Sequence, residues 1–218
     1  MRGISSIVGG RVSPLSKSYV HQVRSVDGSG SLWVQGVGGT GKIDSDNVAQ
    51  GSRHHMHGVV VGSELDSDEE DDKIGFFLGY VRTKSDIIDI NDNAKVDSYL
   101  AGLYGSSMLT EDLLLSGSIS GAYLDFNTKR DTSQGKALAD FAGFGVFSQG
   151  DLMYDLIKQQ RFIIAPYIGF EGYLVNHDGH QETGAGVLNM KQNEETTEQL
   201  SSILGLSYRG SYEYKDLG

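Results

Sequence analysis

The residues with the most obvious chemical potential lie in Ser31 to Lys42, SLWVQGVGGTGK. Gly36, Gly38 and Gly41 fit G-x-G-x-x-G. Gly36 to Lys42 fits most of G-x-x-x-x-G-K, a phosphate-cradling loop. Such a loop must open a helix, whose N-terminus supplies free N–H groups and the positive end of a dipole. The chain instead continues Ile43-Asp44-Ser45-Asp46-Asn47, with no 3.6-residue apolar period. Ile43 stands where Ser or Thr would ligate magnesium, and Asp44 and Asp46 place negative charge where phosphate would lie. The stretch predicts a long glycine-rich β-strand with Trp33 near one end, and no nucleotide.

Other groups invite chemistry and have plainer readings. Arg53-His54-His55-Met56-His57 is the only histidine cluster. On a strand His55 and His57 share a face and could grip a metal, but the expectation is a polar strand start beside a surface loop. His177 and His180 fall in a polar loop. Glu64-Leu-Asp66-Ser-Asp68-Glu-Glu-Asp-Asp72 is densely acidic, yet it lacks the D-x-D-x-D-G spacing and later Glu of a calcium loop. It reads as a solvated, self-repelling turn, and Asp86 to Asp97 reads the same way. Glu171 and Asp140 interrupt apolar segments and are expected to face the lumen of a barrel. No G-x-S-x-G, H-E-x-x-H or Ser/His/Asp arrangement occurs. The expectation is no enzyme activity, with no catalytic, cofactor-binding or metal-ligating residue assigned.

Composition bounds the elements that hold these residues. The chain has 218 residues, 30 Gly, 2 Pro, no Cys and a net charge of −11. That length suits one domain or barrel. Lack of Cys excludes a disulfide framework or a Cys zinc site. The acidic balance argues against a nucleic-acid surface. No run of 18 apolar residues exists to make a transmembrane helix, and the N-terminus lacks a convincing signal-peptide core.

Residues 1–30 read as a linker or a short helix, since Leu15, Tyr19, Val20 and Val23 share a helical face. From residue 31 onward, about eight segments alternate with a period of two, near 31–42, 54–63, 73–84, 94–106, 111–126, 136–148, 160–176 and 199–210. Leu113, Leu115, Ile119 and Tyr123 take one face, and Leu114, Ser116, Ser118, Ser120 and Ala122 the other. Ile74, Phe76, Leu78 and Tyr80 oppose Gly75, Phe77, Gly79 and Val81. Ile164, Pro166, Ile168 and Phe170 oppose Ala165, Tyr167, Gly169 and Glu171. A soluble sandwich would stud its second face with long polar side chains. Here that face is mostly small, and the charges collect in loops near 43–53, 85–93, 127–135 and 177–198. The bulky rows are therefore expected to touch hydrocarbon. Tyr104, Tyr123, Phe126 and Tyr173 fall towards segment ends, where interfacial aromatic girdles sit.

LWVQGVGGTGKIDSD, IGFFLGYVRTKSD, KVDSYLAGLYGSS and APYIGFEGYLVNHDGHQETGAGVLNM, in that order, resemble the β-domain of bacterial autotransporters, the type V secretion proteins. The resemblance implies an all-β fold, an antiparallel up-and-down transmembrane barrel of twelve strands, about eight of them in residues 31–218, with a linker or pore helix in 1–30. It also implies a Gram-negative outer membrane, surrounding lipid, an N-terminal passenger to anchor and export, and help from the barrel assembly machinery. Two features depart from the family pattern. About eight of twelve strands are legible before Gly218, and no terminal aromatic residue follows. No Asn precedes Asn47, so the pore cleavage of some members has no nucleophile. The expectation is an incomplete barrel that inserts once its remaining strands are restored. The rivals are a small eight-stranded OmpA-like barrel, closed between its first and eighth strands, and a soluble β-rich adhesin domain.

Overall fold

The computed structural model describes residues 21–24, 31–45, 51–65, 72–88, 92–159 and 162–210. They form strands β1 (His21–Arg24), β2 (Ser31–Ile43), β3 (Ser52–Leu65), β4 (Lys73–Ile87), β5 (Asn93–Thr110), β6 (Leu113–Thr132), β7 (Gly135–Tyr154), β8 (Ile157–Gln159), β9 (Phe162–His177), β10 (His180–Gln181), β11 (Lys191–Gln192) and β12 (Glu195–Gly210). Ten of these make one sheet in the order β1-β2-β3-β4-β5-β6-β7-β9-β12, with β8 added to β9, while β10 and β11 pair with each other. Each long strand pairs antiparallel with the next long strand along the chain, an up-and-down order in which β7 pairs β9 and β9 pairs β12. Among the described residues no helix is long and apolar enough to cross a membrane, which leaves crossing by strands open.

Several boundaries differ from the sequence reading. The segment 127–135 was expected as a loop, but β6 and β7 stay in register up to Thr132 and Gly135. Glu195 to Glu198 likewise pairs with β9. Polar residues such as Thr, Asn and Lys pair as well as apolar ones wherever both faces meet water, so polarity alone misplaces the loop. Most of the helix considered over Leu15 to Arg24 lies outside the described residues. Its last four residues are β1, paired with β2 from His21↔Val34 to Arg24↔Ser31. Among the described residues β1 pairs only with β2, and β12 only with β9. The strand-one to strand-eight closure of a small barrel is not among those pairings.

One face of the sheet is buried and the other exposed. Trp33, Val60, Phe77, Val81, Leu100, Tyr104, Ala122, Leu124, Phe147 and Val175 form the buried cluster. The large residues that alternate with them, among them Leu32, Val61, Leu78, Leu103, Ile119, Val146 and Ile168, are exposed. A single layer can bury one face without a second layer only by curling upon itself. The inner face is also bulkier than the sequence suggested, and glycine makes that fit. The register sets Trp33 opposite Gly62, Gly62 opposite Phe77, and Phe77 opposite Gly102. Each ring lies over the glycine beside it. A Cβ at Gly102 would stand 2.5 Å from Phe77 Cζ, and one at Gly62 would enter the Trp33 indole. Trp33 Nε1 donates to Tyr104 Oη at 2.7 Å, tying β2 to β5 across 71 residues.

This packing predicts a contrast between two glycines of the same hairpin. Gly62→Ala should destabilise the fold by about 1–3 kcal/mol through overpacking. Gly36→Ala, with nothing within 4 Å of its Cβ, should be close to neutral. Emission from Trp33, the single tryptophan, would report both during denaturant unfolding; equal midpoints for the two variants would contradict the ring-over-glycine account.

Candidate membrane-facing surface and inner wall

The exposed face divides into two zones along the strands. In the lower zone its bulky members are Leu32 and Val34 on β2, Val59 and Val61 on β3, Ile74, Phe76 and Leu78 on β4, and Leu103 on β5. Leu115 and Ile119 on β6, Val146 on β7, Ile168, Phe170 and Leu174 on β9, and Leu200, Leu204 and Leu206 on β12 continue the row. Between them stand Gly36, Ser63, Ala101, Gly117, Gly121, Ser148, Gly150, Pro166, Gly172 and Ser202. Among the described residues the one outward charge of this zone is Glu198, on the edge strand β12 opposite Leu174 and just below the girdle level.

The zone ends at a row of rings in direct register: Tyr80, Tyr99, Tyr123 and Phe144. Their centroids lie 5.3, 6.4 and 5.4 Å apart in sequence. From Leu113 to Tyr123 a strand climbs about 33 Å, which at a tilt of roughly 35–45° is about 25 Å of height. That matches the apolar band of a membrane barrel, closed by an aromatic girdle. Of the four aromatics expected in the girdle, only Tyr123 is there. Tyr104 is buried in the inner cluster, with Phe126 and Tyr173 packed against it. The period of two tells which residues share a face; it does not tell which face turns inward.

Above the girdle the outer face becomes charged within two residues. Arg82 follows Tyr80, Asp97 precedes Tyr99 and Asp125 follows Tyr123. Asp97, expected in a solvated acidic run, is instead only 8% exposed. It accepts from Tyr80 Oη at 2.6 Å and from Arg82 Nε at 2.6 Å and Nη2 at 3.2 Å, and pairs with Lys95 at 2.8 Å. Asp140 also departs from expectation. It lies on the outer face above Phe144, opposite Asn127, whose side-chain amide it accepts, rather than in the lumen. Above the girdle a carboxylate meets water, so facing outward costs little. Glu171 does face inward, beside Gln149, and Asp151 shares that wall.

The inner wall mixes the two characters: the apolar cluster runs from Trp33 on β2 to Val175 on β9, with Gln35, Ser98, Ser116, Ser120 and Ser207 also buried, and Tyr173 Oη donates to Gln199 Oε1 at 3.1 Å. Above this wall, the segment between β9 and β12 folds against β6 and β7. Leu138 and Thr183 exchange backbone hydrogen bonds at 2.9 Å. Arg130 grips Glu182 bidentately, Nε to Oε1 at 3.2 Å and Nη2 to Oε2 at 2.6 Å, and also donates to Leu188 O at 2.9 Å. Met190 N–H donates to Glu182 Oε2 at 2.8 Å. The Arg130 guanidinium, with the Met190 N–H, holds the Glu182 carboxyl below its ordinary range. His180 stacks on Phe141 at 3.8 Å, so its ring serves packing.

The remaining sequence candidates settle as follows. Gly36 to Lys42 is extended throughout as part of β2, and Lys42 pairs with Asp44. His55 and His57 share the outer face, whereas His54 hydrogen-bonds Ser52 at 2.9 Å. Among the described residues no group of three or more His, Asp or Glu is placed to hold a metal. Asp66 to Asp71 lie outside the described residues.

An apolar outer belt beneath an aromatic row, with its one charge on the edge strand, on a curled antiparallel up-and-down sheet, defines an outer-membrane type of β-barrel. The autotransporter beta-domain profile matches residues 32–217, and the chain belongs to that family. The translocator domain of autotransporter NalP from Neisseria meningitidis has the same fold, with a TM-score of 0.70 at 16% identity over 93% of this chain and 66% of that one. Two curated proteins are similar in sequence. "Uncharacterized protein YaiT" of Salmonella typhimurium is 23% identical over 195 residues, 86% of this chain and 19% of that protein. "Putative surface cell antigen sca1" of Rickettsia conorii is 22% identical over 196 residues, 86% of this chain and 10% of its own length. The chain thus spans a tenth to a fifth of these relatives.

Two outcomes follow from this geometry. Ile119→Arg, near mid-belt, should cost about 2–4 kcal/mol and stop membrane assembly, whereas Ser118→Arg on the inner wall should be tolerated; heat-modifiable gel mobility distinguishes the two. Because the Glu182 carboxyl is held low, its contribution is complete above the ordinary glutamate range near 4.3 and is lost as pH falls through the lowered value. Acid proteolysis should therefore nick residues 178–194 increasingly below about pH 4 while β6 and β7 stay intact. Glu182→Gln should expose the same segment at neutral pH.

Proposed function

We propose that this chain is the membrane-embedded translocator of a larger surface protein in the outer membrane of a Gram-negative cell. It anchors that protein and exports an N-terminal passenger. The apolar belt capped by the Tyr80–Tyr99–Tyr123–Phe144 row carries this reading. Its contribution is physical rather than enzymatic. Interstrand pairing satisfies the backbone in lipid, and a wall of mixed apolar and polar side chains lets an extended chain slide without fixed partners. The end that carries the long β6–β7 hairpin and residues 178–194 faces the cell exterior. Insertion depends on the barrel assembly machinery.

A reporter fused ahead of residue 1, on the protein with the flanking segments its gene encodes, tests this. The reporter should become accessible to protease on intact cells, and membrane extracts should hold the β-domain. A β-domain recovered in the soluble fraction, with the reporter protected, would overturn the proposal.

A further inference from the structure

Above the girdle, the outer face of β2 to β5 collects positive charge on a protein whose net charge is −11. The register sets Thr40, His55, Lys84 and Lys95 side by side on four consecutive strands. The row above holds Lys42 and Arg53, and the row below holds His57 and Arg82. Lys84 and Lys95 are directly opposite each other, an arrangement that destabilises a sheet through like-charge repulsion. Asp97 is sunk beneath Arg82 and Lys95 and offsets only part of their combined charge. Lys84 and Lys95 remain about half and more than a third exposed. Asp86 beside Lys84 and Asp44 beside Lys42 are the other carboxylates of the patch, so five cations face three anions.

The positive charge is concentrated in one sector. At the same height, β6 and β7 present Asp125, Asn127, Asp140 and one cation, Lys129, which lies beside Asp131. At the opposite end of the sheet, Lys158 is held by Asp112 at 2.6 Å, and Arg209 is held by Asp155. Depth is equally specific. Arg82 lies two residues above Tyr80, and Lys84 four, about 5 and 10 Å higher on a tilted strand. Lysine stems bend back by several ångströms, which brings their ammonium groups to the level of lipid headgroups. On β2, Gly36 and Gly38 leave the flank of Val59 and His57 uncovered.

We propose that the outer face of β2 to β5 above the girdle, centred on Lys84 and Lys95, binds the phosphate of a phosphorylated lipid headgroup in the surrounding leaflet. This rests on the belt being membrane-embedded, as proposed above. An anion held between the two ammonium groups relieves the repulsion that the register builds in, while the lipid's chains lie along the belt below.

The test uses the protein with its encoded flanking segments, folded into phosphatidylcholine vesicles with or without diphosphoryl lipid A, and follows the midpoint of heat-modifiable gel mobility. Lipid A should raise the wild-type midpoint by several degrees, as preferential binding to the folded state requires. The apparent affinity should fall roughly tenfold or more in Lys84→Gln/Lys95→Gln. Lys136→Gln/Lys191→Gln, which removes the same charge elsewhere at that end, should keep the full shift. Arg53→Gln should lose part of it. An unchanged response in Lys84→Gln/Lys95→Gln would overturn the site, and so would an equal midpoint shift from inorganic phosphate, which would mean a soluble anion rather than a lipid. Absence of any heat-modifiable form in phosphatidylcholine alone would instead overturn the membrane reading, so the two failures are separable.

Discussion

A single sheet has two faces and nothing to lay across either. Every other feature of this chain answers that constraint. Its outer face carries exposed Leu, Ile, Phe and Val over the length of a lipid crossing, and its inner face carries Trp33, Phe77 and Tyr104, all nearly inaccessible. Water suits neither face. Curling buries the inner one, but curling crowds large rings onto adjacent strands. The alternation Trp33, Gly62, Phe77, Gly102 across four strands resolves the crowding by giving each ring a bare backbone to lie on. The same glycines would weaken a helix by roughly 1 kcal/mol each, so the composition that permits the curl also forbids the competing fold. The Trp33–Tyr104 hydrogen bond then fixes the ring order, because a buried indole N–H needs an acceptor.

How much of this was legible depended on what a period of two can say. It assigns residues to faces, and the rows Ile74-Phe76-Leu78 and Leu115-Ile119-Tyr123 were read correctly as the exposed ones. It carries no height and no register. Tyr104, Phe126 and Tyr173 looked like girdle residues because they sit near segment ends, yet each has inward parity. Tyr99 joins the girdle only because β5 is set against β4 so that Tyr80 and Tyr99 meet. Asp140 failed for the related reason that its strand climbs past the membrane before reaching it. The phosphate-loop pattern at Gly36 to Lys42 was correctly discarded because no helix follows, and the outer-face glycines there leave β2 open.

The acidic stretches teach a different lesson. Composition treats Asp86 to Asp97 as one solvated run, whereas the register separates its members. Asp86 stays beside Lys84 on the surface, and Asp92 accepts the Asp131 N–H at 2.7 Å. Asp97 is drawn under two cations and a phenol. A carboxylate can be buried this far only when its partners are in place, and three strand positions supply them.

Tyr80 joins the two media. Its ring packs against Tyr99 at the top of the apolar belt, its hydroxyl donates to Asp97 above, and the Arg82 guanidinium lies 5.9 Å from its centroid. A tyrosine placed there gains from both sides of the boundary, apolar contact below and a charged acceptor above. Sliding β4 by two residues would keep every side chain on its present face. It would nevertheless put Arg82 at the level of the rings and sink Tyr80 one row into the belt, and it would part Tyr80 from Asp97. Face parity alone cannot forbid such a slip. The Tyr80–Arg82–Asp97 contact can, and it sets the height at which these strands pass from lipid into water.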